Sequence, residues 1–215
     1  MKSAAQPPTI HDFGNFGPEL FRMRYPAPGD PALASAVVDR LRQAGLDAEI
    51  DGRRGLDHGV WTPLMLMRPQ ADIPVLQVSI QPADGVEGAL RLGRALAPLR
   101  EEGVLLIGSG ALTHNLREVS WRDPTGAAPF AAVFAHWVAD RVDASDLDAL
   151  RSYRALAPEA VRNHPEEEHL LPLYVAIGAG GLDGAERLHA SFTYGALAMD
   201  AYRFGAREAA TALAA

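Results

Sequence analysis

The chain has 215 residues, 48% of them hydrophobic, with a formal net charge of -7 and a pI near 5.5. It has no apolar run of the roughly 18 residues that cross a bilayer, which excludes a membrane-spanning class and suits one globular domain. The negative net charge argues against nucleic acid as a partner. The absence of cysteine excludes disulfides and thiolate chemistry. The first residues show no export signal, so we expect a cytoplasmic protein.

The first half of the chain alternates between helix and strand patterns. Asp30 and Pro31 are typical of a helix start, and Gly45 of its end. Apolar periodicity and runs of aliphatic residues predict, in order, an irregular segment 1–29 with a short helix at 18–24, a helix 31–44, a strand 46–50, a helix 61–67, a strand 73–80, a helix 86–100 and a strand 104–108. Alternation of this kind predicts an α/β fold with a mostly parallel sheet flanked by helices.

The second half is mainly helical. The pattern predicts helices at 129–141, 144–155 and 170–177, a turn at 158–162, a late strand at 188–192, an ordered piece at 194–202 and a frayed helix or tail at 206–215. Asp143 or Ser145 is the expected cap of the second helix. Three or four strands form a small sheet for a chain of this length, so sheet members are expected to be missing.

Histidines and carboxylates are the only strong metal-ligand types available in this chain, and they suit Fe(II), Zn or Mn. His114 follows the predicted strand 104–108 and its Gly-Ser-Gly end, where ligands bind in open α/β sheets. It is either a metal ligand or proton-transfer group, or a loop histidine bonded to backbone. His169 follows three glutamates and opens an apolar helix, which is an unusual place for a surface residue.

The other histidines have weaker signals. His58 follows Asp57, which could orient its ring, although adjacent side chains rarely face each other. His11 could cap the next segment through Asp12 or lie over a site, and His164 before Pro165 is expected in a cap or turn. His136 is expected on a helix face and His189 as filler in a strand. The motifs of α/β-hydrolases, P-loops, dinucleotide-binding folds and HExxH metalloproteases are absent from the sequence.

Several blocks taken together resemble the class III extradiol ring-cleavage dioxygenases of the LigB superfamily, in particular the branch of DOPA-4,5-dioxygenase-type enzymes. The match runs in order along nearly the whole chain. Its blocks are TIHDFGNFGPELF (9–21), YPAPGDP (25–31), GLDHGVWTPLMLMRPQADIPVLQVSI (55–80), GSGALTHNL (108–116), HPEEEHLLPLYVAIGAG (164–180) and YGALAMDAYRFG (194–205).

The resemblance implies an oxidoreductase that uses non-haem Fe(II), with Zn possible in its place, and O2 to open a catechol-type aromatic, DOPA-like substrates included. It implies His114 and His169 as metal ligands. It also implies that His58 and His114 take part in catalysis. His58 would be a hydrogen-bond or acid/base partner of the substrate, and His11 would lie close by.

The resemblance is incomplete at the N-terminal side. Family members usually carry a GHG-S/P-type motif and an S-A-H-W-type motif, each with a metal-binding histidine, and the sequence contains neither. We therefore expect a single dioxygenase domain, 1–215, that lacks N-terminal strands. The alternatives are a catalytically impaired relative that acts as a ligand-binding or interaction protein, and a second chain that supplies the missing histidines. An incomplete sheet also suggests a homo-oligomer.

Overall fold

The protein is represented by a computed structural model that describes residues 5–14 and 17–205, so the tail expected at 206–215 lies outside the described residues. The chain forms two compact units, Met1–Ser79 and Ile80–Ala215. The α-helices of the described part are α1 (Pro31–Gln43), α2 (His58–Met67), α3 (Gly85–Leu96), α4 (Pro129–Asp143), α5 (Leu147–Arg151), α6 (Tyr153–Leu156), α7 (Ala160–Asn163) and α8 (Leu171–Gly180). Short 3-10 helices span Leu20–Arg22, Pro82–Asp84, Ala97–Glu102 and Leu116–Glu118.

In the first unit, α1 confirms the predicted helix and both of its ends. The Asp30 carboxylate accepts the backbone N–H of Leu33 at 2.8 Å, and Pro31 fills the first helical position. Gly45 has a φ of 72°, a conformation that glycine adopts without a steric cost, and it follows the end of the helix.

The segment before α1 packs on α2 in the same unit. Thr9 and Leu56 form a parallel bridge, and the indole N–H of Trp61, a buried residue of α2, donates to the carbonyl of Ile10 at 2.8 Å. Helix α2 begins three residues earlier than the predicted 61–67 and carries His58 in its first turn. Residues 9–13 are thereby held beside the N-terminus of α2.

In the second unit, α3 and α8 cross with their backbones in close contact. A Cβ atom on Gly93 would lie 2.1 Å from the carbonyl oxygen of Val175, and one on Gly178 would lie 2.4 Å from that of Leu90. Helix α8 is apolar on all sides and belongs to the buried core of this unit. The predicted helix 86–100 is confirmed as α3 and the 3-10 turn after it.

The predicted helix 144–155 is wrong in its start and its continuity. Ser145 has a φ of 52°, in the left-handed region, so a helix cannot run through it. The cap is Asp146, whose carboxylate accepts the N–H of Ala149 at 3.0 Å, and not Asp143 or Ser145. The chain therefore forms two short helices, α5 and α6, where one was predicted.

The strands of the described residues are short and antiparallel. They are β1 (Glu186–His189) paired with β4 (Ala201–Arg203), and β2 (Phe192–Thr193) paired with β3 (Leu197–Ala198). Helices and small sheets together agree with an α/β fold. Within 5–14 and 17–205, no helix has both the length and the apolar character needed to cross a bilayer.

The predicted parallel sheet is not present in the described part of the chain. Residues 46–50, 73–80 and 104–108 belong to neither two-stranded sheet. A strand requires a hydrogen-bonded neighbour, and an apolar run alone does not supply one. In 104–107 the side chains alternate, with Val104 and Leu106 half-buried and Leu105 and Ile107 exposed, so one side of this extended segment is uncovered.

Candidate active site

His114 and His169 lie against each other in the second unit. Their rings stack with centroids 3.5 Å apart and an interplanar angle of 13°. His169 precedes α8, and its Nδ1 lies 3.5 Å from a carboxylate oxygen of Glu168. Residues 55 positions apart in sequence thus present two adjacent imidazoles.

Backbone hydrogen bonds hold the two histidine-bearing segments together. The N–H of Ala111 donates to the carbonyl of His169 at 2.8 Å, and the N–H of His114 donates to the carbonyl of Asn163 at 3.1 Å. In addition, the side-chain amide of Asn115 donates to the carbonyl of Arg162 at 2.6 Å. These contacts fix the loop that carries His114 along the segment that leads to His169.

His164 supplies a further link between the same segments. Its side chain is fully buried, and Nε2 donates to the carbonyl of Leu112 at 2.8 Å. Since the partner is a carbonyl, Nε2 must carry a proton. Burial lowers the pKa of His164 to about 4, more than the Leu112 hydrogen bond raises it, so the ring is neutral at pH 7. The prediction of a cap or turn is confirmed, because His164 is the C-cap of α7 and its N–H donates to the carbonyl of Ala160 at 2.9 Å; the burial of the side chain was not predicted.

Gly110 allows the two segments to approach. A Cβ atom there would lie 2.3 Å from the carbonyl oxygen of His169 and 3.1 Å from Cγ of Pro172. A contact of 2.3 Å is impossible without a shift of backbone, so only glycine permits this approach. Glycine at position 110 is thus required by close packing on the start of α8.

The stacked pair fits part of a metal site. Neutral imidazoles suit Fe(II) or Zn, but nearly parallel ring planes do not meet at one ion about 2 Å from both nitrogens. Ligation of one ion by both rings therefore requires one ring to rotate. Among the described residues, no group of three or more histidines, aspartates or glutamates is arranged to hold a metal. The described residues thus bring together two candidate ligands, without a third residue grouped with them.

In the first unit, His58 is held by Asp12. The Oδ1 atom of Asp12 lies 2.8 Å from Nδ1 of His58 and also accepts the backbone N–H of His58 at 3.1 Å. Burial alone would raise the pKa of Asp12, but the side-chain and backbone hydrogen bonds from His58 outweigh it and hold the pKa below its usual value. Asp57, the neighbour in sequence, instead contacts Gln77 and Arg54.

An aromatic cluster surrounds these groups in the first unit. The ring of Phe13 meets that of His58 edge-on at 5.7 Å between centroids and lies 6.0 Å from that of His11. Phe21 and Trp61 complete the cluster, 5.3 and 5.9 Å from Phe13. Nε2 of His11 lies 3.0 Å from the carbonyl of Met23 and 3.2 Å from the Arg24 guanidinium. His11 and His58 thus share one aromatic surface.

The side-chain contacts of two residues in these clusters were not predicted from the sequence. Asp12 lies 46 positions before His58, and no local spacing links them. His164 was assigned to a cap or turn because the following proline restricts its backbone. Its burial arises from packing against Leu112 and Phe134, which are distant in sequence.

Comparison with known proteins assigns the class. The family model described as the catalytic LigB subunit of aromatic ring-opening dioxygenase matches residues 1–205. The chain belongs to this family. The family is generally metal-dependent.

More particularly, the chain is similar to proteins named 4,5-DOPA dioxygenase extradiol. It is 42% identical over 174 residues to one from Mirabilis jalapa, covering 80% of this chain and 64% of the relative. It is 43% identical over 207 residues to one from Portulaca grandiflora, covering 94% and 76%. The chain therefore spans less than two thirds of the Mirabilis relative.

A solved structure has a similar fold. It is the crystal structure of an uncharacterized protein from Escherichia coli K12, with a TM-score of 0.76 and 30% sequence identity. The match covers 94% of this chain and 81% of that chain. The fold of the described residues is therefore shared with a protein of known structure.

Proposed function

We propose that this protein opens a catechol-type aromatic ring by extradiol cleavage with O2. The observation that carries the proposal is the direct contact of the His114 and His169 rings. Two segments distant in sequence are fixed by backbone bonds, a glycine and a buried histidine so that two imidazoles adjoin. In a family of ring-opening dioxygenases, two adjacent imidazoles are expected to form part of a metal site.

We propose that His114 and His169 are ligands of Fe(II), with Zn possible in its place, after rotation of one ring out of the stack. A bound Fe(II) would supply a binding place for the diol and O2 and a route for electrons between them. Among the described residues, no group of three or more histidines, aspartates or glutamates includes this pair. The hydrogen bond of the buried His164 to Leu112 keeps the loop that carries His114 in place. Because the pKa of His164 is lowered to about 4, its ring does not take up a second proton at pH 7.

In this proposal, His58 accepts the proton of a substrate hydroxyl, as a general base. Its side chain is half exposed, so a ligand can reach it. Phe13, against which His58 packs, and His11 offer an aromatic surface for a substrate ring.

The proposed substrate class is a catechol with an amino acid or small acid side chain. The support is the name of the relatives in Mirabilis jalapa and Portulaca grandiflora, which refers to DOPA. The family model matches an uninterrupted stretch, so we propose that the two units together form one dioxygenase domain.

Oxygen uptake tests the proposal. Protein supplied anaerobically with Fe(II) is mixed with catechol, DOPA or a dihydroxybenzoic acid in aerated buffer, and O2 is followed with an electrode and the product by absorbance. We expect stoichiometric uptake that His169→Ala abolishes and that the exposed control His136→Ala leaves unchanged. Binding of catechols without uptake would contradict the proposal and support a ligand-binding relative.

A further inference from the structure

Asp12 makes two contacts with His58 through one oxygen atom. Oδ1 accepts from the backbone N–H at the start of α2, at 3.1 Å, and lies 2.8 Å from Nδ1 of the ring. The backbone contact fixes where the carboxylate lies relative to α2, because the N–H of His58 is part of the helix. The ring contact then fixes the orientation of the imidazole relative to the same carboxylate.

The Asp12–His58 contact determines which nitrogen of His58 carries the proton. An ionised carboxylate only accepts hydrogen bonds, so Nδ1 must be the donor. The pKa of Asp12 is held below its usual value by the bonds from His58, so Asp12 is ionised at pH 7. In a neutral ring the proton on Nδ1 leaves Nε2 with its lone pair.

We propose that Asp12 is a positioning residue that holds His58 in the Nδ1–H tautomer, so that Nε2 is the atom that takes the substrate proton. This inference rests on the proposed function, in which His58 is the base. The hydroxyl O–H bond of the diol breaks, its proton forms a bond with Nε2, and the electron pair stays on the phenolate oxygen. The imidazolium that results keeps its Nδ1–H bond to the Asp12 carboxylate, which stabilises the positive charge.

Asp57 provides a matched control. It is also an aspartate, adjacent to His58 in sequence, and like Asp12 it lies within 4 Å of the Arg54 guanidinium, at 3.5 Å against 3.8 Å for Asp12. Its carboxylate accepts a hydrogen bond from the side-chain amide of Gln77. A general effect of lost negative charge would therefore appear in both Asp12→Asn and Asp57→Asn, whereas loss of tautomer control would appear only in the first.

The experiment is long-range 1H–15N NMR of histidine-labelled protein at pH 7.5, with kcat and KM measured on the Fe(II)-supplied protein. We expect the Nδ1–H tautomer of His58 in the wild type and in Asp57→Asn. In Asp12→Asn, the amide can donate or accept, so we expect a mixture of tautomers. The accompanying fall in kcat is expected to be tenfold or more, within the roughly 10²–10⁴-fold that general acid–base catalysis contributes, with a smaller change in KM.

The outcomes distinguish the role of Asp12 in positioning His58 from the role of His58 as a base. An Nε2–H tautomer in the wild type, or an unchanged tautomer in Asp12→Asn, overturns the inference about Asp12. Loss of the tautomer with an unchanged kcat overturns the role of His58 as base. If Asp12→Asn does not fold, Asp12→Ser keeps an acceptor for the backbone N–H of α2 while removing the carboxylate, and the same two readouts decide.

Discussion

Burial of His164 links the stability of the protein to pH at the scale of one side chain. Its pKa falls from the ordinary value of 6.5 to about 4 in the folded state. Between these values the unfolded chain binds more protons than the folded chain, so the free energy of unfolding decreases as pH falls from about 6.5 towards 4. At pH 5 the loss relative to pH 7 is roughly 2 kcal/mol from this residue.

Urea denaturation at pH 7 and pH 5 measures this effect. We expect His164→Gln to be less stable at pH 7 because a buried hydrogen bond is altered, and to lose that part of the pH dependence. The control His136→Gln changes an exposed histidine and should keep the wild-type dependence. Equal pH dependence in His164→Gln and wild type would contradict the burial argument.

Gly110 lies where the loop that carries His114 approaches the start of α8, and a substitution there tests this close contact. In Gly110→Ala the new Cβ meets the carbonyl oxygen of His169, so the loop must move away and the stacked rings must separate. We expect a destabilisation of about 1–3 kcal/mol, as for other overpacked sites, and weaker Fe(II) binding. Gly52→Ala, where the Cβ meets open space, is the control in both measurements and should match the wild type.

At the scale of secondary structure, the crossing of α3 and α8 depends on two glycines. Alanine at Gly178 gains up to about 1 kcal/mol of helix propensity. It also places a Cβ 2.4 Å from the Leu90 carbonyl oxygen. Because both helices are packed in the core and cannot separate freely, we expect Gly178→Ala and Gly93→Ala each to lower the free energy of unfolding by about 1–3 kcal/mol. Thermal denaturation beside Gly52→Ala checks this, and a raised melting temperature would contradict it.

Helices were largely predictable from sequence because their signals are local. The Asp30 cap, Pro31 and Gly45 each act within a few residues, and the apolar period of α3 is contained in the helix itself. Strand 104–108 was predicted from an apolar run, yet strand formation depends on a neighbour that the run cannot specify. The left-handed Ser145 and the change from one helix to two were missed as well.

At the scale of the whole molecule, the uncovered segment 104–107 bears on self-association. Leu105 is 75% and Ile107 49% exposed. Apolar extended backbone that is not paired in a sheet tends to associate with other chains. We expect size-exclusion chromatography to show a dimer or larger species, and Ile107→Lys to shift it towards the monomer. A wild-type monomer at all concentrations would contradict this prediction.

The candidate site was predictable only as separate pieces. His114 and His169 could be singled out from their positions beside glycines, glutamates and an apolar helix, and their contact then required the fold. The side-chain contacts of Asp12 and His164 could not be predicted, since their partners lie 46 and 52 residues away, although the cap position of His164 was. Long-range contacts of this kind arise from the packing of segments, which local pattern does not determine.

The joint role of His114 and His169 in metal binding is tested most directly by anaerobic calorimetric titration of Fe(II) into the wild type, His114→Ala, His169→Ala and the control His136→Ala. We predict one ion per chain in the wild type and the control, and at least a tenfold weaker affinity in each of the two other variants. Wild-type affinity in either His114→Ala or His169→Ala would contradict the account.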